Sequence, residues 1–487
     1  VRLSAAYIAS PVRHICNQSL VNHLFPDQWK RAKVCPLPKN TRIPLTGNNS
    51  RPISLLPTLS KVLEKVAHNQ IWQYVTLNDI VTPHQHAYRP NHSTTTALLQ
   101  MTDDWLSAID KGEIVGAVYI DFSAAFDLVD HQLLLAKLKS YGFSLGSLTW
   151  MSSYLQGRTQ VVYINGHFSE PSVLECGVPQ GSCLGPLIFT LFTNDLPLSV
   201  LNSTTEMYAD DTSMYKAARS LSEITAALQP DLNKISEWVK SNKLVMNILK
   251  TKCMLFGSPR KLALLPSTSL DLVIGTEGIV QVKETVLLGL HITQSLTWNL
   301  HVNHTIAKQS RNIALLRRHA WAITHDVFKV VMCALVLSVA QYCLPVLANM
   351  SDLNTRRLQV VQNRACRMLL KCAIDTPVAQ MHTDLGWPTV RERFAISTLN
   401  TFFRILVSHE PQNIYSSIVP VHSTHTYSTR LSSSHSFKLP KPKTNSQKRT
   451  FLYRAINLWN TLPSNIKSLT VPYHFKKAIY QFVTNYS

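Results

Sequence analysis

The chain is poor in the features that would set it outside the ordinary globular class. Only 16% of its 487 residues are charged, glycine numbers 15 and cysteine 9, and no internal repeat runs through it. Low charge beside 45% apolar residues excludes an intrinsically disordered chain. Scarce, aperiodic glycine excludes a collagen-like one. The cysteines, at positions 16, 35, 176, 183, 253, 333, 343, 366 and 372, form no Cys-x-x-Cys pair and no zinc-ligand quartet. Their odd number does not suit a disulfide scaffold, so reduced thiols in the cytosol or nucleus are expected. No secretory signal opens the sequence, and a start at Val1 rather than Met implies a processed chain or a fragment of a longer one. At about 150 residues per domain, the length suggests three domains.

Acidic residues are nearly lacking from the last third. Residues 1–300 carry 25 basic and 22 acidic side chains, whereas 301–487 carry 23 and 6, a local net charge of +17. Such an excess attracts a polyanion, either nucleic acid or an anionic membrane, although a solvated basic surface has the same composition. Long apolar runs are also scarce. Val330–Met350 is uncharged for about the length that spans a bilayer. Gln341, Pro345 and Asn349 weaken that reading in favour of a buried helix ending before Pro345, followed by an amphipathic helix bearing Arg356, Arg357, Arg364 and Arg367.

Elsewhere the pattern alternates. Helical spacing covers Thr58–Val75, and a second helix over 93–111 opens on a Ser/Thr cap. Ile114–Ile120 is an apolar, β-branched run expected as a buried strand ending at Asp121, with helical periodicity then returning up to Gly142. Residues 158–175 form a hairpin about Asn165-Gly166, and 206–216 form two short strands joined at Asp210-Asp211. A further hairpin-like unit precedes residue 300, and the chain beyond is mainly helical, with a polar, Pro- and Lys-rich loop at 421–450.

Three acids therefore stand at element ends: Asp121 after one strand, and Asp210 and Asp211 between two others. If the strands are neighbours, the carboxylates converge. Two such charges about 4 Å apart repel by roughly 4 kcal/mol at an effective dielectric near 20, so a stable cluster needs protons or divalent cations. Oxygen-only ligands select Mg²⁺, and paired metals hold the attacking and leaving oxygens of an in-line phosphoryl displacement. Taken alone, Asp-Asp in a turn is ordinary turn chemistry.

The ordered set is more specific. RPISLL at 51–56, YIDFSAAFDLVDH at 119–131, GVPQGS at 177–182, YADD at 208–211, NILKTKCMLFG at 247–257 and TVLLGLHITQSLTW at 285–298 together resemble the reverse transcriptases of non-LTR (LINE-type) retrotransposons, particularly the jockey-like branch. LQVVQNRACRMLL, LGWPTVRERF and LWNTLP are similar to that family's C-terminal region. The resemblance implies an α+β right-hand polymerase. Residues 1–115 would be an N-terminal extension and fingers, 116–300 an antiparallel-sheet palm with an inserted finger segment (the reverse transcriptase domain spanning about 25–295), 301–380 a helical thumb and 381–487 a basic, mainly helical C-terminal region that binds RNA or DNA.

It also implies roles. Asp121 and Asp210 would be the principal metal ligands and Asp211 the third acid, with the Phe122 carbonyl completing the nucleotide-side ion of a Mg²⁺ pair replaceable by Mn²⁺. Phe126 would be the steric gate against a 2′-hydroxyl, while Gln180 and Gly181 contact the incoming nucleotide and template. Arg51 would grip the triphosphate, Lys250 act as general acid for pyrophosphate, and Tyr208 support the primer end. The implied partners are template RNA, a DNA primer and deoxynucleoside triphosphates, with no membrane and an oligomeric state left open. The implied location is the nucleus and cytoplasm, with action in the nucleus. Nothing in the sequence encodes the endonuclease domain that full-length elements usually carry ahead of the polymerase. Cys366, Cys372 and His382, like the His422, His425, His435 group, have the wrong setting for the zinc knuckle of some relatives, so no zinc is expected. Three other readings stay open: a decayed or domesticated remnant that binds RNA without polymerising, a related intron maturase or telomerase subunit, and a membrane protein built on 330–350.

Overall fold

The computed structural model describes residues 5–40, 42–47, 49–421 and 435–485. Its class is α+β, as expected. IVGAVYI forms the strand Ile114–Ile120, central in a five-stranded sheet ordered Val280–Gln281, Lys252–Phe256, Ile114–Ile120, Asp211–Ala218, Thr204–Tyr208. The central strand is antiparallel to both neighbours, and burial of both its faces explains why its apolar run does not alternate.

Those two faces feed two cores. Ile114, Val118 and Ile120 pack with Met214 and Leu255 in the first, beneath the helix Leu221–Ser241 with Ile224, Leu228 and Leu232. That helix lies close because residue 116 is glycine: a Cβ there would come within 2.4 Å of the Ile224 side chain. On the opposite face, Val115, Ala117, Tyr215, Met254 and Phe256 meet the helix Thr94–Asp110, whose Trp105 stacks on Phe256 at 4.4 Å. The expected cap at the start of this helix is Ser93, in a reciprocal capping box with Thr96.

A second sheet is ordered Ser50–Leu55, Arg31–Pro38, Thr159–Ile164, His167–Phe168, with Ser172–Val173 also on Thr159–Ile164. It contains the expected Asn165-Gly166 hairpin, both turn residues having positive φ. The helix Thr58–Leu77 starts where expected and runs two residues past Val75.

Three expectations need correction. The segment after Asp121 is not helical throughout. Left-handed Ala124 (φ 49°) leads into a 3-10 turn at Ala125–Leu128, and the α-helix starts only at His131, where Asp130 caps the Leu133 N–H. The apolar run at 330–350 is broken: His325–Met332 passes through a π-helical segment at Cys333–Leu337 to Ser338–Gln341, then left-handed Cys343 starts a new turn with Pro345 near its beginning. Among the described residues no helix is long and apolar enough to cross a membrane. Finally, the described end of the 421–450 stretch is docked rather than loose. Asp110 accepts hydrogen bonds from the Lys443 and Thr444 N–H groups, and Asn445–Lys448 is helical. His422 and His425 lie outside the described residues.

Beyond residue 300, Asn299–His319, His325–Met332 and Asp352–Leu370 enclose a small core of Leu316, Met332, Val336, Cys366 and Trp387. Phe402, Phe403, Trp459 and Phe475, from three later helices, instead join the core that contains Trp105 and Phe256. The second core thus runs from Ala97 to Ile479 and crosses the boundaries expected at 300 and 380.

Candidate active site

Strand register brings the three acids together. Ile120 pairs with Thr212, so Asp121 leaves the central strand beside Asp211. Tyr208 pairs with Asp211 across a two-residue turn of Ala209 and Asp210. An open cleft of about 990 Å³ has Asp121 and Asp210 at its floor and Arg51, Tyr88, Phe126 and Gln180 among its walls. An adjoining groove of about 400 Å³ is lined by Tyr119, Asp121, Asp211, Lys250, Lys252 and Leu287. Asp121 faces both spaces, whereas Asp210 faces the cleft and Asp211 the groove.

Charge crowding is visible in the proton affinities. The Asp210 carboxyl is raised by loss of hydration and by Asp121, with Arg51 opposing the shift. Asp211 is pushed up to about 6 by loss of hydration and then by the charges of Asp210 and Asp121. The donors are all oxygen, a hard set suited to divalent cations. Phe122 bridges Met246 through the flanking bonds Ser123 N–H to Val245 and Asn247 N–H to Asp121, a pattern that does not engage the Phe122 carbonyl. Among the described residues no three His, Cys, Asp or Glu side chains already surround one point, so any ion would be held by two carboxylates with backbone, substrate or water oxygens. Below about pH 6 a proton on Asp211 removes negative field beside a cation held by Asp121 and Asp210. Cation affinity should therefore fall as pH drops through that value, and Mn²⁺ titration followed by electron paramagnetic resonance at about pH 5 and about pH 8 checks it; equal affinities would contradict the assignment.

The remaining residues singled out in the sequence fall around this floor. Arg51 sits on the strand Ser50–Leu55, opposite Leu37. Phe126 stacks on Phe189 with centroids 4.2 Å apart, which fixes its ring in the cleft wall. Lys250 Nζ is 3.7 Å from Asp121 Oδ2 in a largely exposed pair. Tyr208, half-buried, ends the strand that leads to the turn. Gln180 is less free than its sequence suggests, because its Nε2 donates to both Asp127 oxygens at 2.9 Å, leaving Oε1 as the acceptor it offers.

Gly181 is demanded by its neighbours. Its φ is +127°, and a Cβ would stand 2.5 Å from the Ser54 carbonyl oxygen; the adjacent Gln180 carbonyl accepts the Ser54 N–H at 2.7 Å. This contact ties the GVPQGS loop to the strand carrying Arg51. Gly181→Ala should cost about 1–3 kcal/mol, read as a lowered thermal midpoint; an unchanged midpoint would contradict the contact.

Sequence reasoning missed three supporting residues. Asp127 orients Gln180. Glu64, fully buried, accepts from the Cys183 N–H at 2.7 Å and holds the far end of the same loop. Gln85, also fully buried, bonds the Ala209 backbone. The one local signal was polarity at a buried helical position in the case of Glu64; the partners lie 53 to 124 residues away in sequence.

With this geometry in view, the chain matches the family described as reverse transcriptase (RNA-dependent DNA polymerase) over residues 37–292. It is 30% identical over 413 residues to the "Probable RNA-directed DNA polymerase from transposon BS" of Drosophila melanogaster, covering 81% of this chain and 45% of that one. It is 28% identical over 300 residues to the "RNA-directed DNA polymerase from mobile element jockey" of the same species, covering 60% and 32%. Among solved structures, apo telomerase from Candida Tropicalis is similar at a TM-score of 0.40 and 10% identity, covering 80% of this chain and 68% of that one. The chain spans between about a third and a half of the two transposon relatives' length. Ordered motifs, converging carboxylates and a match over more than half of its residues agree: the chain belongs to the reverse transcriptase family.

Proposed function

We propose that this chain is an RNA-directed DNA polymerase of a non-LTR retrotransposon, adding deoxynucleotides to a primer 3′-hydroxyl on an RNA template and releasing pyrophosphate. The observation that carries this reading is the meeting of Asp121 with Asp210 at the floor of a cleft that has Arg51 in its wall, with Asp211 next to them in the adjoining groove.

Each residue then has a task. Asp121 and Asp210, with the Phe122 carbonyl, would hold two Mg²⁺ ions, which when bound supply charge neutralisation and orient the reacting oxygens. Asp211, facing the groove, adds negative field behind them. Arg51 binds triphosphate oxygens with a permanently charged, bidentate group. The Phe126 ring occupies the space a ribose 2′-hydroxyl would need, so deoxynucleotides are selected by exclusion. Gln180, held by Asp127, presents one acceptor to the nucleotide. Lys250, beside Asp121, is placed to give a proton to the leaving pyrophosphate. The groove past Asp211 takes the primer end near Tyr208, and the basic region beyond residue 300 holds the template–primer backbone, so binding should weaken steeply with salt. Action on a chromosomal primer implies the nucleus as its place of work.

Primer extension on poly(rA)/oligo(dT), wild type beside Asp210→Asn, tests the proposal. Incorporation by the wild type alone supports it. Incorporation by neither favours an RNA-binding remnant, and equal incorporation by both overturns the assignment of catalysis to these acids.

A further inference from the structure

The catalytic turn is not self-sufficient. Ala209 carries φ +57°, a left-handed conformation that a residue with a Cβ seldom adopts unsupported. Its support comes from a different part of the chain. His84–His86 lies along the outer edge of the strand Thr204–Tyr208, with His86 N–H to the Met207 carbonyl at 2.9 Å and Met207 N–H to the His84 carbonyl at 2.8 Å. Buried Glu206 anchors the same segment from the strand side, at 2.7 Å from His86 Nε2 and 3.4 Å from His84 Nδ1. Between the two histidines, Gln85 is fully buried and aims its amide at the turn. Its Oε1 accepts from the Ala209 N–H at 3.0 Å and from the Ala87 N–H at 2.9 Å, and its Nε2 donates to the Ala209 carbonyl at 3.5 Å.

One side chain thus grips both backbone polar groups of the strained residue that immediately precedes Asp210. We infer that Gln85 is a positioning residue: it holds Ala209 left-handed and so sets where Asp210 and Asp211 stand relative to Asp121. It touches neither nucleotide nor ion. Glutamine suits the task because a neutral amide supplies donor and acceptor together without adding charge beside three carboxylates. This inference deepens the polymerase reading and rests on it only for the activity measurement.

The test is a double-mutant cycle with two readouts. Gln85→Met keeps the length and apolar volume but removes all three hydrogen bonds. Ala209→Gly removes the penalty for positive φ, so the turn no longer needs its clamp. Expected for Gln85→Met is a loss of about 10²-fold in kcat with little change in the KM for dTTP, cooperative unfolding retained, and Mn²⁺ binding by electron paramagnetic resonance weakened about 10-fold, the usual scale for losing an outer partner of a ligand. Adding Ala209→Gly should restore most of both losses. A Gln85→Met protein with wild-type kcat and Mn²⁺ affinity overturns the proposal. So does a loss that Ala209→Gly leaves untouched, since a merely structural glutamine would behave that way. If Gln85→Met does not unfold cooperatively, Gln85→Glu, which keeps the acceptor for both N–H groups, takes its place, with smaller losses expected and the same rescue. A wild type that incorporates no nucleotide, with the Mn²⁺ cycle as expected, would refute the polymerase reading and leave the positioning role standing.

Discussion

Asp210→Asn is expected to reduce deoxynucleotide incorporation by about 10³-fold or more while leaving the fold intact, because it removes a charge at the cleft floor where phosphoryl charge must be neutralised. The two effects have opposite signs. Burial and Asp121 raise the folded-state proton affinity of Asp210 above its ordinary value. Ionising it therefore costs folding stability: the contribution is favourable at low pH and is lost as pH rises through the folded value. At neutral pH the asparagine variant should accordingly unfold at an equal or slightly higher temperature than wild type when divalent cations are absent. A variant that is inactive and also unfolded would not bear on catalysis. One that is stable and fully active would remove Asp210 from the mechanism. Thermal unfolding with a chelator, run beside primer extension, separates these outcomes.

The second large effect concerns the C-terminal region. Residues 1–300 contain the whole family match and Asp121, Asp210 and Asp211, and a designer working from motifs would express them alone. That fragment is expected to be insoluble or molten. It would expose Trp105, Val115, Ala117, Met254 and Phe256, which share a core with Phe402, Phe403, Trp459 and Phe475. It would also strip Asp103 of the Phe451 and Leu452 N–H groups it accepts at 2.7 and 3.0 Å, and of neighbouring Arg454. In the full chain, burial already pushes that carboxyl up to about 7 against those donors. A single substitution gives the same information at smaller cost. Trp459 packs edge-on to Phe402 at 5.5 Å, lies over Phe475 at 5.7 Å, and donates from Nε1 to the His435 carbonyl at 2.9 Å. Trp459→Ala should lose about 3–5 kcal/mol in denaturant unfolding, although no catalytic residue lies in that cluster. A soluble, cooperatively folded 1–300 fragment would show that the two cores are separable.

These cases mark where sequence reading succeeds. The strand Ile114–Ile120, the helix opening at Ser93 and the Asn165-Gly166 turn were legible because each depends on near neighbours: apolar run length, a capping oxygen, positive φ. The active-site acids were legible because they end such elements. Asp127, Glu64 and Gln85 were not. Each makes sense only once a partner at least 53 residues away is beside it. The polar stretch ending at 450 misled for the same reason: its Lys443 and Thr444 N–H groups are satisfied by Asp110, far earlier in the chain.

The sequence by itself determined the family, the reaction class it implies and the acids that would serve it, since chemistry is written in residue types and their order. Tertiary structure alone decided that those acids meet, that Gln85 and Asp127 steady the groups around them, and that the last hundred residues belong to the same core as the catalytic sheet. The reason is physical: side-chain chemistry is a local property of the chain, whereas convergence, burial and hydrogen-bond partnership exist only between segments brought together by folding.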